Sequence, residues 1–207
     1  MVAGVDDAGR GPVIGPLVVA GVIFEESDIP KLRPMGVKDS KLLTPRRRES
    51  LEPEILNAAV GCKVLYLSPS EVDDYVLNGR KLRKLNWLEA KAMAKIVEAL
   101  HADIAYLDAS DVDAARFGLQ VQELVSFPVQ IVSKHHADRD NPVVAAASIL
   151  AKVSRDRAVA ELRRVYGDFG SGYPSDPRTI RFLHDCARSG AFPDCVRRSW
   201  KTLKRFG

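Results

Sequence analysis

The sequence is poor in cysteine. Its 207 residues contain three, Cys62, Cys186 and Cys195, an odd number with no close metal-ligand spacing. A reduced compartment fits this better than a disulfide framework, and no cysteine-built metal site is indicated, so a cytoplasmic protein is expected. Long apolar runs are also missing. Pro12–Phe24 resembles a signal-peptide core, but it holds two prolines and follows Asp6 and Asp7 rather than a basic start. No other stretch is long or apolar enough to span a bilayer, so no membrane partner is expected. Repeats and low-complexity tracts are absent. The glycines at 9, 11 and 15 fall one residue off the dinucleotide-binding spacing, and two acids beside a pyrophosphate would be unfavourable, so that reading is rejected.

What is present is ordinary globular material. Hydrophobic residues make up 46% of the chain and charged residues 28%, enough to build a real core. The net charge of +4 is unevenly placed. Residues 177–207 sum to +6 and the preceding 176 to −2, which points to a polyanionic partner for the C-terminal face.

Val2–Val5, Leu17–Phe24, Cys62–Leu67, Ile104–Asp108 and Val129–Val132 read as strands. Glu25–Arg33 reads as a polar loop. Thr44-Pro45 signals a helix start, with Pro53 a potential kink on the way to Ala59. Ser68-Pro69 opens a helical region whose Leu85, Leu88, Ala92, Ile96 and Leu100 form an apolar stripe. Residues 113–125 suggest another helix. Asn141-Pro142 opens a long one to about Val165, whose small residues at the start predict close packing on a sheet. A Gly/Ser/Pro loop over Gly167–Asp176 holds Tyr173, and Arg178–Arg188 is helical. Strands followed by alternating helices and strands define an α/β domain with a mixed sheet.

Asp6 and Asp7 follow the first strand, Asp108 ends a later one, and Asp138 sits between a strand and its helix. Consecutive strand residues face opposite ways, so the doublet is placed at the strand end, where the chain turns through Gly9 and Gly11. Sites in α/β sheets form beyond the carboxyl ends of strands. Carboxylates gathered there suit Mg²⁺ or Mn²⁺, and two such ions roughly 3.5–4 Å apart can clamp a phosphodiester displacement. Any single aspartate is more often a turn or cap residue, as Asp111, Asp113 and Asp140 are read. The Gly9-Arg10-Gly11 turn permits close backbone approach to a sugar-phosphate chain, with Arg10 placed to meet a phosphate.

Asp6-Asp7-Ala-Gly-Arg-Gly, Val37-Lys-Asp-Ser-Lys41, Tyr106-Leu-Asp108, His135-His-Ala-Asp138, Ala145–Lys152 and Gly170–Pro177 together resemble type 2 ribonuclease H (ribonuclease HII), most closely its archaeal members. The resemblance covers nearly the whole chain. It implies a ribonuclease H-like mixed sheet flanked by helices over 1–166, with a basic helical extension over 167–207 packed on it. It implies a monomeric, metal-dependent endonuclease that hydrolyses the phosphodiester 5′ of ribonucleotides in RNA/DNA hybrids or in duplex DNA. Mg²⁺ or Mn²⁺, two ions with substrate, would be held by Asp6, Asp7, Asp108 and Asp138, which are also the catalytic acids. Gly9, Arg10 and Gly11 would read the ribose 2′-hydroxyl, the group that separates RNA from DNA. Tyr173 would pack on the neighbouring deoxyribose. Lys38, Ser40 and Lys41 resemble phosphate contacts, with Ser148 and Lys152, four apart on one helix face, as further candidates.

Two departures stand out. The family has Asp-Glu where this chain has Asp6-Asp7, and the shorter side chain reaches roughly 1.5 Å less far. Misplacement of about 1 Å can cost a hundredfold in rate, so a hybrid-binding protein with weakened turnover is the alternative. A nuclease for branched DNA is a third reading, which the Gly-Arg-Gly turn argues against. No sliding-clamp motif follows Trp200–Gly207, so a clamp partner is not supported.

Overall fold

The computed structural model describes residues 1–38, 40–78 and 84–206; Asp39, residues 79–83 and Gly207 lie outside the described residues. Five strands form one sheet in the order β3-β2-β1-β4-β5. They are β1 (Val2–Ala8), β2 (Leu17–Phe24), β3 (Gly61–Leu67), β4 (Ile104–Asp108) and β5 (Gln130–Lys134). The β1–β2 and β2–β3 pairs are antiparallel, whereas β1–β4 and β4–β5 are parallel. The mixed sheet expected from the sequence is therefore present.

Around it lie α1 (Ile29–Met35), α2 (Pro45–Ala58), α3 (Pro69–Asn78), α4 (Lys84–Leu100), α5 (Ala114–Gln122), α6 (Ala137–Asp140), α7 (Pro142–Tyr166) and α8 (Pro177–Arg188). Alternation along β1 divides the core. Val2 and Ala8 point to one face with Leu51, Ile55 and the alanines of α7. Ala3 and Val5 point to the other, with Met93, Ile96 and Phe117 from α4 and α5. A third cluster joins Val13 and Ile14 to Phe169, Leu183 and Val196 of the C-terminal segment.

Helix starts follow the expected chemistry. Thr44 accepts from the Arg47 amide at 3.3 Å, and Asn141 from the Val143 amide at 2.9 Å. Ser68 and Glu71 form a reciprocal capping box, with the Ser68 amide donating to Glu71 at 2.7 Å and the Glu71 amide to Ser68 at 3.2 Å. Pro53 sits inside α2 without ending it.

Three local expectations change. Part of the predicted 25–33 loop is helix α1: Pro30 sits in its first turn, where its missing N–H costs nothing, and Leu32 is buried. The strand β1 does not end at the acids but carries both, pairing Asp6 with Ala20 and Asp7 with Val19. A single-turn helix, α6, carries Asp138, entered through His136 at φ 55°.

Two glycines set the layer spacing. A Cβ on Gly4 would stand 2.3 Å from the Val143 carbonyl oxygen of α7, and one on Gly21 would stand 2.2 Å from the Ile96 side chain of α4. Gly4→Ala is expected to cost about 1–3 kcal/mol through overpacking against backbone. Gly21→Ala should cost about as much, because it meets the Cγ2 methyl of Ile96, a buried β-branched side chain with little freedom to shift. Gly61, whose Cβ would sit 3.6 Å from Ile23, should be near neutral as Ala. Urea unfolding of the three variants checks this order.

Candidate active site

A cleft of about 930 Å³ opens at the carboxyl ends of β1 and β4, and Asp6, Asp7, Asp108 and Asp138 all line it. The two neighbours in β1 reach it from opposite faces. Asp6, 4% exposed, lies on the α7 face and accepts the Asp7 amide at 2.7 Å. Asp7 lies on the α4 face, where the Ser110 hydroxyl donates to it at 3.4 Å. Asp108 Oδ1 accepts the Ala137 amide at 2.9 Å, which ties β4 to α6. Asp138 is 1% exposed. Neither of its oxygens has a hydrogen-bond partner among the described residues, although Lys41 Nζ stands 3.6 Å from Oδ2.

Asp6, Asp7 and Asp108 resist ionisation. Burial raises the Asp6 carboxyl well above its usual range, and Asp7 and Asp108 push it further. Burial also raises Asp7, against the pull of Arg10. Asp108 is raised by burial, with the Ala137 amide opposing and Asp138 adding to it. Lys152 is the positive counterpart: burial lowers its pKa, while Asp6 and Asp138 pull it back up.

Gly9, Arg10, Gly11, Lys41, Lys152 and Tyr173 also line the cleft. Tyr173, 40% exposed, stands with its ring 3.4 Å from where a Cβ on Gly11 would lie, and Arg155 covers the ring at 5.4 Å. Other candidates lie elsewhere. Lys38 is exposed on a neighbouring, smaller pocket beside Asp138 and Arg139. Ser40 and Ser148 are fully buried behind Lys152, bonded to each other at 2.8 Å, and both accept from its ammonium. Both serines thus support the lysine from behind. The Arg10 side chain, part of the cleft lining, is tied toward α4. Its guanidinium donates to Glu89 at 2.5 Å and to Asn86 at 2.7 Å.

Glu89 and Arg155 were missed from sequence. Glu89 is fully buried, and burial followed by the nearby Asp7 charge raises its pKa well above the usual range. A signal existed: Glu89 is four residues after Leu85 and three before Ala92, so it falls on the apolar stripe of α4, where an acid needs a partner. Arg155 follows Lys152 by three residues on the same face of α7.

Among the described residues no three His, Cys, Asp or Glu side chains already form a ready-made metal cage. The donor set nevertheless fits a hard divalent cation. The four side chains are all carboxylate, Asp6 and Asp138 are buried and Asp7 and Asp108 half-buried, Asp6, Asp7 and Asp108 repel one another, and the oxygens of Asp138 lack hydrogen bonds among the described residues. A mixed sheet carrying such acids at its strand ends, beside a glycine turn and basic side chains, defines a metal-dependent nuclease with a ribonuclease H-like fold. Comparison with known proteins gives the family. The ribonuclease HII family model matches residues 3–203, and the chain belongs to that family.

Ribonuclease HII of Thermococcus kodakarensis is 49% identical over 207 residues, covering 99% of this chain and 88% of that protein. The crystal structure of ribonuclease H2 from Pyrococcus horikoshii OT3 superposes with a TM-score of 0.90 at 41% identity, covering 99% of this chain and 96% of that one. The ribonuclease HII in the Archaeoglobus fulgidus complex with PCNA gives 0.89 at 44% identity, covering 100% and 96%. The chain is accordingly a ribonuclease H, a metal-dependent endonucleolytic hydrolase.

The strained acids give a prediction independent of turnover. A carboxyl whose folded-state pKa lies above its unfolded value destabilises the fold once ionised, and the cost is relieved as pH falls through the raised value. In chelator at pH 8, Asp6→Asn should melt a few degrees above wild type, with the gap closing as pH is lowered toward 4. Mn²⁺ or Mg²⁺ should raise the wild-type melting temperature and do so less for the variant. Differential scanning calorimetry reads both; a variant less stable than wild type at pH 8 would contradict the assignment.

Proposed function

We propose that this chain hydrolyses the phosphodiester 5′ of ribonucleotides in RNA/DNA hybrids or embedded in duplex DNA, leaving a 3′-hydroxyl and a 5′-phosphate. Its roles would be ribonucleotide removal from DNA and RNA primer removal, in the cytoplasm, as a monomer. The observation that carries this reading is the cleft itself, where Asp6, Asp7 and Asp108 of the strands and Asp138 of α6 adjoin a glycine turn that faces Tyr173. Residues 1–166 would form the catalytic domain and 167–207 the basic extension packed on it.

Asp6, Asp7, Asp108 and Asp138 would hold two divalent ions, Mg²⁺ or Mn²⁺. The chemistry supplied by such ions, once held, would be activation of water and stabilisation of charge on the leaving oxygen. The protein's own residues do the rest. The Gly9–Gly11 turn admits a sugar-phosphate chain where a side chain would block it, and reads the 2′-hydroxyl through its backbone. Tyr173, stiffened by Arg155, offers a ring for the adjacent deoxyribose. Lys152, seated on Ser40 and Ser148, and Lys41 add positive charge beside the acids, favouring a phosphate there. Lys38 would meet the backbone further out. The Archaeoglobus relative was solved with PCNA; the present reading rests on the cleft and assigns no clamp contact.

Asp7 supports a second reading, a hybrid-binding protein with weakened turnover. Its side chain is one methylene shorter than the family's glutamate and lies within the charge network of Arg10 and Glu89.

The test is cleavage of duplex DNA containing one ribonucleotide, with Mg²⁺ or Mn²⁺. Loss of supporting groups around metal ligands costs about 10–100-fold, so Asp6→Asn and Asp138→Asn should lose at least about a hundredfold. Equal cleavage by both variants would sink the assignment. Gly11→Ala, whose methyl would point at the Tyr173 ring, should fold normally and lose activity on the ribonucleotide. Binding without cleavage, restored by Asp7→Glu, would favour the second reading.

A further inference from the structure

The glycine turn is held from behind by the C-terminal segment. Arg197, nine residues after the end of α8 and remote in sequence from the turn, is fully buried. Its guanidinium donates to three backbone carbonyls: Gly9 at 2.7 Å, Arg10 at 3.1 Å and Gly15 at 2.9 Å. The Trp200 indole N–H donates to Gly11 O at 3.0 Å, and its ring lies 4.8 Å from the guanidinium. The Arg197 amide bonds Val13 O at 2.8 Å. The buried Asp73 of α3 then fixes the next two residues, accepting the Arg198 amide at 2.6 Å and the Ser199 amide at 2.9 Å.

A buried arginine usually meets a carboxylate. Among the described residues none lies within ion-pair distance of Arg197, and its donors go to main-chain oxygens. The consequence is directional. In a trans peptide the C=O and the following N–H point in opposite directions, and the chain has no cis bonds among its described residues. With the Gly9 and Arg10 carbonyls turned inward to Arg197, the amides of Arg10 and Gly11 turn outward. Outward is the cleft, which Gly9, Arg10 and Gly11 line and which Arg197 and Trp200 do not. Neither amide has an acceptor among the described residues. Two adjacent N–H groups facing one way form a small donor site for an oxygen ligand.

We infer that Arg197, backed by Trp200, is the positioning residue that turns the Arg10 and Gly11 amides toward the ribose, so that discrimination between ribose and deoxyribose is set by the C-terminal segment. This rests on the reading of the turn as the 2′-hydroxyl reader. Lysine cannot replace the fork, since it offers a point charge where three separated carbonyls need a planar set of donors.

The experiment compares wild type, Arg197→Lys, Trp200→Phe and Gly11→Ala. Fluorescence anisotropy in Ca²⁺ gives the affinity ratio for a duplex with one ribonucleotide over the same all-DNA duplex. Steady-state cleavage gives kcat and KM separately, and circular dichroism checks the fold. Folded Arg197→Lys should lose about tenfold or more in the ribonucleotide preference, the scale of hydrogen bonds to a charged group. Its all-DNA affinity should stay within about twofold, because the basic contacts that set it are untouched. Trp200→Phe keeps a ring on the guanidinium and loses one bond, so about threefold is expected. An unchanged preference in folded Arg197→Lys, or equal loss on both duplexes, overturns the proposal. Should Arg197→Lys not fold, an unchanged preference in Trp200→Phe overturns it instead. Gly11→Ala separates the two layers. A preference unaffected by that variant removes the reader itself, whereas its collapse beside an intact Arg197→Lys removes only the positioning role.

Discussion

The contact on which the site depends is the approach of α7 to β1 at Gly4. No side chain fits between that residue and the Val143 carbonyl, so the first turns of α7 lie directly on the strand. The alanines at 145–147 continue the close fit. Because the helix is a rigid rod with a fixed rise, this one seat decides where residues further along it stand. Ser148 comes under Asp6, Lys152 comes one turn later between Asp6 and Asp138, and Arg155 reaches the Tyr173 ring. On the opposite face Gly21 lets α4 approach β2 in the same way, which brings Glu89 and Asn86 beneath Arg10. Two missing side chains thus align a polar shell behind the acids on each face of the sheet.

That shell compensates the acids only in part. Burial is the largest cause of the raised pKa at Asp6, Asp7 and Asp108 alike. The opposing groups are few: Lys152 stands over Asp6, Arg10 is shared between Asp7 and Glu89, and the Ala137 amide serves Asp108. A fold selected for stability alone would replace such acids or pair them fully. Keeping them buried and under-partnered is the arrangement expected where a cation supplies the missing charge, and it places stability and activity in opposition at the same side chains.

Much of this was legible in the chain. Five strands, the long α7 and the strand-end position of Asp108 follow from periodicity and turn chemistry, which are local properties. The acid doublet was harder. Strand alternation correctly forbids Asp6 and Asp7 from sharing a face, and the solution expected was to end the strand. The structure instead keeps the strand to Ala8 and lets the two acids approach the cleft from either side of the sheet's end. Helix α1 was hidden by Pro30 and Pro34, which local rules count against a helix although the first sits where it does no harm. Ser40 and Ser148 could be grouped with Lys152 by motif, but their burial behind it depends on α7 meeting a segment more than a hundred residues away.

Arg197 marks the limit of reading charge from composition. It belongs to the strongly basic C-terminal stretch, whose excess suggests a surface for polyanions, and nothing in Val196-Arg197-Arg198 separates one arginine from the next. The structure separates them completely. Arg197 is enclosed, while Arg198 is exposed and donates to the Phe192 carbonyl. The difference arises from strand-like pairing: Ile14 bridges Val196, and the Gly15 amide bonds Cys195 O at 2.8 Å. This registers the tail against the glycine turn and leaves Arg197 facing the turn's carbonyls. Residues far apart in sequence therefore meet as one unit, and the C-terminal segment supports the glycine turn from the inside as well as presenting charge on its surface.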